Sequence, residues 1–311
     1  MAEQLYQRDA YGQALVKLGS SDNNVVVLDA DLSSSTRTNL FAKQFPERFF
    51  NFGVAEQNMI AAAAGLASCG KKVFLSTFAV FASGRAWDQV RVSISYNNFN
   101  VKIIATHAGV TVGPDGASHQ ALEDIALMRV LPNMNIIVPA DAPQTEEAIM
   151  AAAGIPGPFY IRMGRSKVPT IENKEKFEFG KAQLLCPGDD AAIVACGLMV
   201  EQALWAVKSL AARGIRARLI NMHTIRPLDK EIILKAAQET RLIIACEEHS
   251  VFGGLASSID EVVAENFPVK VIRVGVHSRF GQSGEPEELM KEYHLTGPDI
   301  EKAVLAHIAQ K

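Results

Sequence analysis

Residues 49–58 read FFNFGVAEQN, and this stretch decides how the first half of the chain folds. A short aromatic run, typical of a strand, meets Gly53, and an alanine-rich segment from Ala55 to Cys69 has the composition of a helix. The junction places Glu56 in the first turn of that helix, just beyond the carboxyl end of a strand. In open α/β sheets ligands bind in this crevice, although a carboxylate there can also satisfy free backbone N–H groups and the helix dipole.

The same strand-to-helix alternation continues on both sides of this junction. Apolar strands alternating with helices are typical of a parallel sheet covered on both faces, so the sequence predicts a doubly wound, mostly parallel α/β fold. The other predicted elements are helix 9–19, strand 23–31, strand 72–76, helix 78–96, strand 101–106, loop 107–120, helix 121–130, strand 135–138, helix 142–153, strand 158–161, strand 191–197, helix 199–213, strand 216–221, helix 229–239, strand 241–248, helix 254–266, strand 269–274, and helices near 286–292 and 298–309.

Residues 164–180 interrupt this alternation with glycine, proline and a charged stretch, which is typical of a connection between domains. We therefore expect one domain over residues 1–168, a linker at 169–180, and a second, smaller α/β domain over 181–311. A chain of 311 residues is long enough for two cores of ordinary size.

The composition argues against several classes of protein. The net charge is -3 with 48% apolar residues, so no basic excess points to nucleic acid or to an anionic membrane. The start has no apolar core of a secretory signal, and no window approaches the roughly 18 apolar residues of a membrane span. Four cysteines lie far apart without a CxxC pair, which favours reduced, mostly buried thiols. We expect a cytoplasmic protein.

The string GVAEQNMIAAAAGLA at 53–67 closely resembles the transketolase family of thiamine-diphosphate (ThDP) enzymes. The resemblance extends over nearly the whole chain but matches only the back half of a full-length transketolase. It implies a ThDP pyrimidine-binding domain followed by the transketolase C-terminal domain. It also implies that Glu56 contacts the aminopyrimidine ring, where a buried carboxylate favours the tautomer that acts as the cofactor's internal base.

Two aromatic residues in STFAVF, Phe78 and Phe81, lie at the predicted start of a helix and would share one face. Aromatic residues at this spacing are usually part of a core. The resemblance implies instead that both hold the aminopyrimidine, while Gly84 stands where some family members place a third aromatic residue. Asp31 matches an acidic residue near the cofactor, with helix capping as the alternative.

The segment THAGVTVGPDGASHQALED at 106–124 gathers His107, Asp115 and His119 among glycines that allow close approach to a ligand. Taken alone, such residues are more often solvated, and no recognised spacing supports a zinc site. The resemblance implies a substrate funnel in which His107 binds phosphate and Asp115 a hydroxyl near C2. His119 would contact a hydroxyl near the reacting carbon and act in catalysis, although some members carry Gln there.

Three further residues, Arg8, Ser35 and Arg165, are far apart in sequence, and each alone has the character of a surface residue. The resemblance implies that they meet His107 at the terminal phosphate of the sugar. Two guanidinium groups, a hydroxyl and an imidazole make a sound phosphate clamp, because arginine provides charge-assisted and often bidentate contacts.

The second domain offers less. The stretches TIRPLD at 224–229 and EEHSVFGGLAS at 247–257 resemble the transketolase C-terminal domain, and the two glycines at 253–254 are only a weak indication of an anion site. We expect this domain to be mainly structural and interfacial, without a cofactor of its own.

The chain lacks the family's GDG motif, which holds the cofactor's diphosphate through a divalent metal. The GDD at 188–190 lies in a predicted loop with no suitable Asn after it, and no metal ligand is predicted. The resemblance therefore implies the C-terminal subunit of a split transketolase, inactive alone. Its partner would be an N-terminal subunit that provides most of the ligands to Mg²⁺ or Ca²⁺. The two kinds of subunit would form an α2β2 tetramer.

The implied reaction transfers a two-carbon ketol unit between sugar phosphates, from a ketose such as xylulose 5-phosphate to an aldose such as ribose 5-phosphate. Three other functions stay open: a deoxyxylulose-phosphate synthase-like subunit, a pyruvate dehydrogenase beta-like subunit, and a transketolase for an unusual sugar. A non-catalytic subunit that kept the fold is a fourth. The retained histidines, Asp115 and the arginine pair favour a sugar substrate.

Overall fold

The structure is a computed structural model that describes residues 3–172 and 175–308. The outer ends of both predicted domains, the middle of the predicted linker and the last residue of the predicted helix 298–309 lie outside the described residues. Within them, no helix is long and apolar enough to cross a bilayer.

The strands of the described residues form a seven-stranded sheet, a five-stranded sheet and a two-stranded ribbon. Their bounds are β1 Gln4–Leu5, β2 Val25–Asp29, β3 Phe49–Asn51, β4 Lys72–Phe78, β5 Val101–Thr106, β6 Asn135–Ile137, β7 Phe159–Arg162, β8 Val168–Pro169, β9 Gln183–Cys186, β10 Ala191–Ala195, β11 Ala217–Asn221, β12 Thr224–Arg226, β13 Leu242–Ser250 and β14 Lys270–Val276.

Helices cover both sheets. Their bounds are α1 Gln7–Ser21, α2 Ser33–Thr36, α3 Asn39–Gln44, α4 Glu56–Ser68, α5 Trp87–Gln89, α6 Asp124–Arg129, α7 Ala142–Gly154, α8 Met199–Ala212, α9 Lys230–Thr240, α10 Leu255–Asn266, α11 Pro286–Glu292 and α12 Gly297–Ile308. Short 3₁₀ segments lie at Pro46–Arg48 and Val110–Asp115, and π-helical segments at Phe81–Arg85 and Val90–Ser95.

The first sheet has the strand order β12-β6-β7-β5-β4-β2-β3 and is parallel apart from β12. Its strands bury alternate residues on opposite faces. Val25 and Val27 belong to a core with Tyr11 of α1, whereas Val26 belongs to a core with Met59 of α4. Burial on both faces explains why β2 is an unbroken apolar run, and it confirms the predicted doubly wound sheet.

The second sheet has the order β14-β13-β10-β11-β9 and is parallel apart from β9, which confirms a second α/β unit. The two units share more than the linker. Residues Thr224–Arg226 follow the second unit's β11, yet they pair antiparallel with β6 at the edge of the first sheet. The large apolar core under the first sheet also continues into the second, since it includes Val194 and Ile243.

The predicted helix 78–96 is wrong at its start. Strand β4 continues to Phe78, because that residue still pairs with Thr106 across the parallel ladder to β5. The helical part that follows is wider than an α-helix, with π-helical turns on both sides of α5. π-Helical turns are rare in proteins, and those that occur are often found at functional sites.

The remaining differences are smaller. Strand β2 ends at Asp29 rather than at residue 31, and the predicted helix 121–130 shortens to Asp124–Arg129. The cysteines are free, as expected, but only Cys196 and Cys246 are buried, whereas Cys69 is exposed.

Candidate active site

Polar and aromatic side chains collect at the carboxyl ends of the parallel strands of the first sheet. Strand β2 is followed by Asp31 and β3 by Glu56, β4 ends in Phe78, β5 is followed by His107, and β7 by Arg165. Because β3 lies on one side of β2 and β4 on the other, the order of the chain reverses here. Crevices at such reversal points are the usual ligand sites of open α/β sheets.

Glu56 is the first residue of α4, and it is only 1% exposed. Its two carboxylate oxygens each lie 3.0 Å from Nη1 of Arg85, a residue 29 positions away that the π-helical turn brings back to the start of α4. The Arg85 guanidinium also lies over the Phe81 ring, 4.7 Å from its centroid. The described partner of Glu56 is therefore a side chain and not a backbone N–H of its own helix.

Four aromatic rings form a cluster beside this ion pair. Phe78 stacks on His107 with ring centroids 3.9 Å apart, and Phe81 is nearly parallel to Phe78 at 5.9 Å. His119 meets Phe81 edge-on at 5.4 Å. Although Phe78 ends a strand instead of beginning a helix, the two phenylalanines still lie side by side. A buried carboxylate next to parallel aromatic rings suits a planar ring that carries a hydrogen-bonding nitrogen.

An open cavity of about 460 Å³ is lined by Thr111 and Pro114 of the loop after His107 and by both predicted phosphate-binding arginines. The Arg8 guanidinium stacks over the Tyr6 ring at 4.6 Å, and its Nη1 donates to the backbone oxygen of Ser35 at 3.3 Å. Arg165 donates from Nη1 to the Val112 oxygen at 2.5 Å. Lys167, which sequence reasoning did not single out, also lines this cavity.

Of the remaining predicted residues, Asp115 and Ser35 contact the two arginines, whereas Asp31 contacts Asn51. The Oδ1 of Asp115 lies 3.5 Å from Nη1 of Arg165. The residue predicted to bind a sugar hydroxyl is therefore next to an arginine predicted to bind the phosphate. Ser35 contributes its backbone oxygen to Arg8. Asp31 is exposed and accepts a hydrogen bond from Asn51. Their roles stay predictions.

Asp29, not Asp31, fixes the turn after β2. It is buried and accepts hydrogen bonds from the Leu32 N–H at 2.6 Å and from the Thr36 and Thr38 hydroxyls at 2.8 and 2.9 Å. These bonds tie the turn to the end of β2, although no side chain caps α2 itself. The sequence pattern cannot separate the two aspartates, because both follow the same apolar run and the exact last residue of a strand is not readable from it.

Arg85 is a site residue that no sequence pattern predicts. It stands next to Gly84, in a segment where an ordinary α-helix was predicted. Only the wider π-helical turn at Phe81–Arg85 directs its guanidinium to Glu56. The resemblance to known enzymes drew attention to a missing aromatic residue and not to this arginine.

In the second domain, a carboxylate of the protein occupies the position of the weak anion site predicted at residues 253–254. Glu247, 1% exposed, accepts the N–H groups of Leu255 and Ala256 at 2.7 and 2.9 Å at the start of α10. A side chain on Gly254 would place its Cβ 2.0 Å from Glu247 Oε2. The glycine pair therefore makes room for the protein's own carboxylate. In the part of the chain that the structure describes, no three His, Cys, Asp or Glu side chains group as metal ligands would.

The fold and the site define a two-domain α/β protein with a buried carboxylate and parallel aromatic rings at the strand ends of its first sheet. The pyrimidine-binding domain of transketolase matches residues 3–170, and the transketolase C-terminal domain matches residues 180–300. The chain belongs to the transketolase family.

Relatives share this arrangement over their whole length. A Methanocaldococcus jannaschii protein, provisionally named as a transketolase C-terminal section, is 49% identical over 98% of this chain and 96% of its own. The 6-deoxy-6-sulfo-D-fructose transketolase subunit SqwH of Clostridium sp. (strain MSTE9) is 39% identical over 97% and 94%. A solved structure described as a split gene transketolase, inactive beta4 tetramer, is 50% identical with a TM-score of 0.89 over 99% of both chains.

The His107 imidazole is neutral over the physiological range. Burial lowers its pKa to about 3, and the nearby positive charges of Arg8 and Arg165 act in the same direction. Its Nδ1 lies 3.0 Å from the Thr106 hydroxyl. A neutral imidazole can offer one N–H to an anion while its other nitrogen is held by the protein.

This pKa predicts a pH-dependent stability. From about pH 3 to 6.5 the unfolded chain binds a proton at His107 that the folded protein does not, so stability rises with pH by up to ~1.4 kcal/mol per unit. We expect His107→Gln to flatten this rise, measured as the free energy of unfolding in urea at several pH values.

His294→Gln is the matched control, since the side chain of His294 is 81% exposed. His223, whose pKa burial lowers to about 4, adds a slope of the same sign to all three proteins, so the difference between proteins is the quantity to compare. A slope in His107→Gln as steep as in the unchanged protein would contradict the neutral, buried imidazole.

Proposed function

We propose that this chain is the C-terminal subunit of a ThDP-dependent transketolase that transfers a two-carbon ketol unit between sugar phosphates. One observation supports this most directly. The buried Glu56 carboxylate is linked through Arg85 to the aromatic cluster of Phe78, Phe81 and His107. The loop that follows His107 then lines the arginine-lined cavity with Thr111 and Pro114. A cofactor ring and a phosphorylated substrate can then meet at His107 and His119.

The residues present fit the pyrimidine half of ThDP. The Glu56 carboxylate would form a hydrogen bond with a ring nitrogen, and Arg85 would give up its contact to Glu56. Phe78 and Phe81 would pack against the ring. When bound, the cofactor supplies a carbon nucleophile and an electron sink for breaking a bond next to a carbonyl. The protein orients the ring, excludes water from Glu56 and keeps a proton available at its carboxylate oxygen.

Nothing in the described residues fits the diphosphate half, which needs a divalent metal. We assign Mg²⁺ or Ca²⁺ binding mainly to an N-terminal transketolase subunit, and we propose an α2β2 assembly in the cytoplasm. The missing GDG motif and the lack of a metal-ligand group in the described chain support this division of labour. The relative SqwH is likewise named as a subunit.

The substrate class is an anionic sugar. The cavity of about 460 Å³ is lined by the three cations Arg8, Arg165 and Lys167 and by two carboxylates, Glu285 and Glu287, so cations outnumber anions, and it has room for one end of a sugar phosphate. Xylulose 5-phosphate as donor and ribose 5-phosphate as acceptor are the pair we propose first. The name of the SqwH relative, with a sulfonated fructose, supports an unusual anionic sugar as the second candidate.

Coupled assays of the complex with its N-terminal subunit, against a panel of phosphorylated, sulfonated and neutral ketoses, test this function. Turnover of a sugar phosphate supports it, and turnover of sulfonated sugars alone selects the second candidate. Activity confined to pyruvate or another 2-oxo acid would overturn it.

Arg165→Ala tests the anion pocket itself. The arginine is half-buried and faces the cavity, so its loss removes a charged hydrogen bond worth about 1.5–3 kcal/mol, or roughly a 10- to 150-fold rise in KM for a phosphorylated donor. We expect a much smaller change for a non-phosphorylated ketose, measured in the same complex.

Arg216→Ala is the control, because the Arg216 side chain is 72% exposed and pairs with Asp189 far from the cavity. An equal loss of Arg165→Ala on both kinds of donor would show that Arg165 serves the fold or another group and not the phosphate.

A further inference from the structure

The loop that carries His107, Asp115 and His119 is held in place by the second domain. Val110, in the middle of this loop, is fully buried in the second domain's core with Leu289 of α11. The loop's backbone makes some hydrogen bonds of its own, such as those from the Gly116 and His119 N–H groups, but Gly113 interrupts its 3₁₀ segment with φ +82°. The shape of its first half therefore depends also on what packs against it.

Glu248, near the end of β13 in the second domain, makes the most direct of these contacts. It is 3% exposed, and its Oε1 accepts the Thr111 N–H at 2.7 Å across 137 residues of sequence. Thr111 also lines the arginine pocket, so the bond ties the wall of that cavity to the second domain. A buried backbone N–H needs such a partner, because leaving it unpaired is costly.

The backbone of the loop is shaped to receive this carboxylate. Gly109 has φ +82°, and a Cβ there would lie 2.1 Å from Cδ of Glu248. Only glycine fits both the left-handed backbone and the approach of the carboxylate. Arg162 holds the backbone at Glu248, because its Nη2 donates to the Glu248 backbone oxygen at 2.9 Å. The Nε of Arg162 donates to Asp124 at 2.8 Å.

Gln120 closes the other end of the loop. Its Nε2 donates to the Val110 oxygen at 3.0 Å and to the Gln282 oxygen of the second domain at 2.9 Å. Its Oε1 is packed so closely that a Cβ on Gly281 would come within 1.7 Å of it. The loop is thus bound to the second domain at Thr111 and again at Gln120, on both sides of Asp115.

We propose that Glu248 is a positioning residue for the sugar-binding loop, so that the second domain sets the geometry of the substrate pocket. The proposal rests on the proposed function for its kinetic part only. Glu248 is not among the residues that line the arginine-lined cavity. It acts through the Thr111 N–H and, from there, on Val112, whose oxygen holds Arg165.

The test compares Glu248→Leu with Glu248→Gln in the complex with the N-terminal subunit. Leucine removes the acceptor, whereas glutamine keeps an oxygen of the same reach. We expect Glu248→Leu to raise KM for the phosphorylated donor by about tenfold with a smaller change in kcat and in the Kd of ThDP, the size of one lost hydrogen bond. Glu248→Gln is expected to restore KM to within about threefold.

Glu247→Leu is the matched control. Glu247 is adjacent, equally buried, and bound to the start of α10 instead of the loop. We expect it to lower the thermal midpoint as much as Glu248→Leu does while leaving KM unchanged. If all three variants raise KM in proportion to their loss of stability, Glu248 is only structural and the proposal is wrong.

A second measurement does not depend on activity. Hydrogen exchange of the peptide spanning residues 108–116 reports the Thr111 amide directly. Faster exchange there in Glu248→Leu, but not in Glu247→Leu, supports the positioning role even if no ketol transfer is found. Unchanged exchange in Glu248→Leu overturns it, whatever the assays of the proposed function show.

Discussion

Replacing Glu56 by Gln is expected to lower kcat of the two-chain complex by about 10²–10⁴, the usual worth of a positioned acid–base group. Glutamine keeps the size of the side chain and an oxygen for Arg85, so the contact at 3.0 Å can survive. What it loses is the ionisable proton. Because glutamine can keep the hydrogen bond from Arg85, we expect the loss to appear mainly in catalysis and less in folding.

The measurements are the thermal midpoint and the rate at which the cofactor's C2 proton exchanges in the complex. A carboxylate at a helix start is worth only about 0.3–1 kcal/mol to the helix dipole, so the midpoint should shift little. Arg85→Met is the companion variant, since it removes the ion pair and leaves the carboxyl group. We expect it to retain kcat within about tenfold, as for a partly exposed ion pair.

Near-normal exchange of the C2 proton in Glu56→Gln, together with a clearly lowered midpoint, would reduce Glu56 to a helix-end residue. A loss in Arg85→Met as large as in Glu56→Gln would mean that the ion pair, and not the proton, is what the site needs.

The chain alone is expected to show no ketol transfer with ThDP and Mg²⁺. Its described residues hold the pyrimidine side of the site but no metal-ligand group for the diphosphate. Losing two charge-assisted contacts costs about 3 kcal/mol or more, so ThDP should bind at least about 100-fold more weakly than in the complex.

Calorimetric titration of ThDP and a coupled assay, each with and without the N-terminal subunit, check this expectation. Adding the subunit should restore both signals in the same sample, which shows that the chain was folded. Sustained turnover by the chain alone would end the two-chain proposal.

Most of the sheet architecture could be predicted because it follows from local pattern. Residues 25–28 are apolar without alternation, and only a strand covered on both faces buries every residue of such a run. The position of Glu56 followed in the same way, from an aromatic strand that meets a glycine and an alanine-rich helix.

What could not be predicted depends on contacts between distant segments. Phe78 was assigned to a helix, because nothing near it in sequence shows that Thr106 extends the strand ladder to that point. The pairing of Arg85 with Glu56 depends on extra residues in a π-helical turn, which no 3.6-residue period reveals. Glu248 looked like part of an ordinary strand, since its partner is 137 residues away.

Strand β12 follows the second unit's β11 in sequence but belongs to the first sheet, and this limits where the chain can be divided into fragments. A fragment that stops in the segment 169–180 would leave Asn135–Ile137 as a bare sheet edge, with unpaired N–H and C=O groups that invite association with another chain. The predicted linker lies where the two family matches, residues 3–170 and 180–300, meet, but the first sheet is completed only by β12 beyond it. A transplantable first module must bring Thr224–Arg226 with it, or must supply a substitute edge from elsewhere.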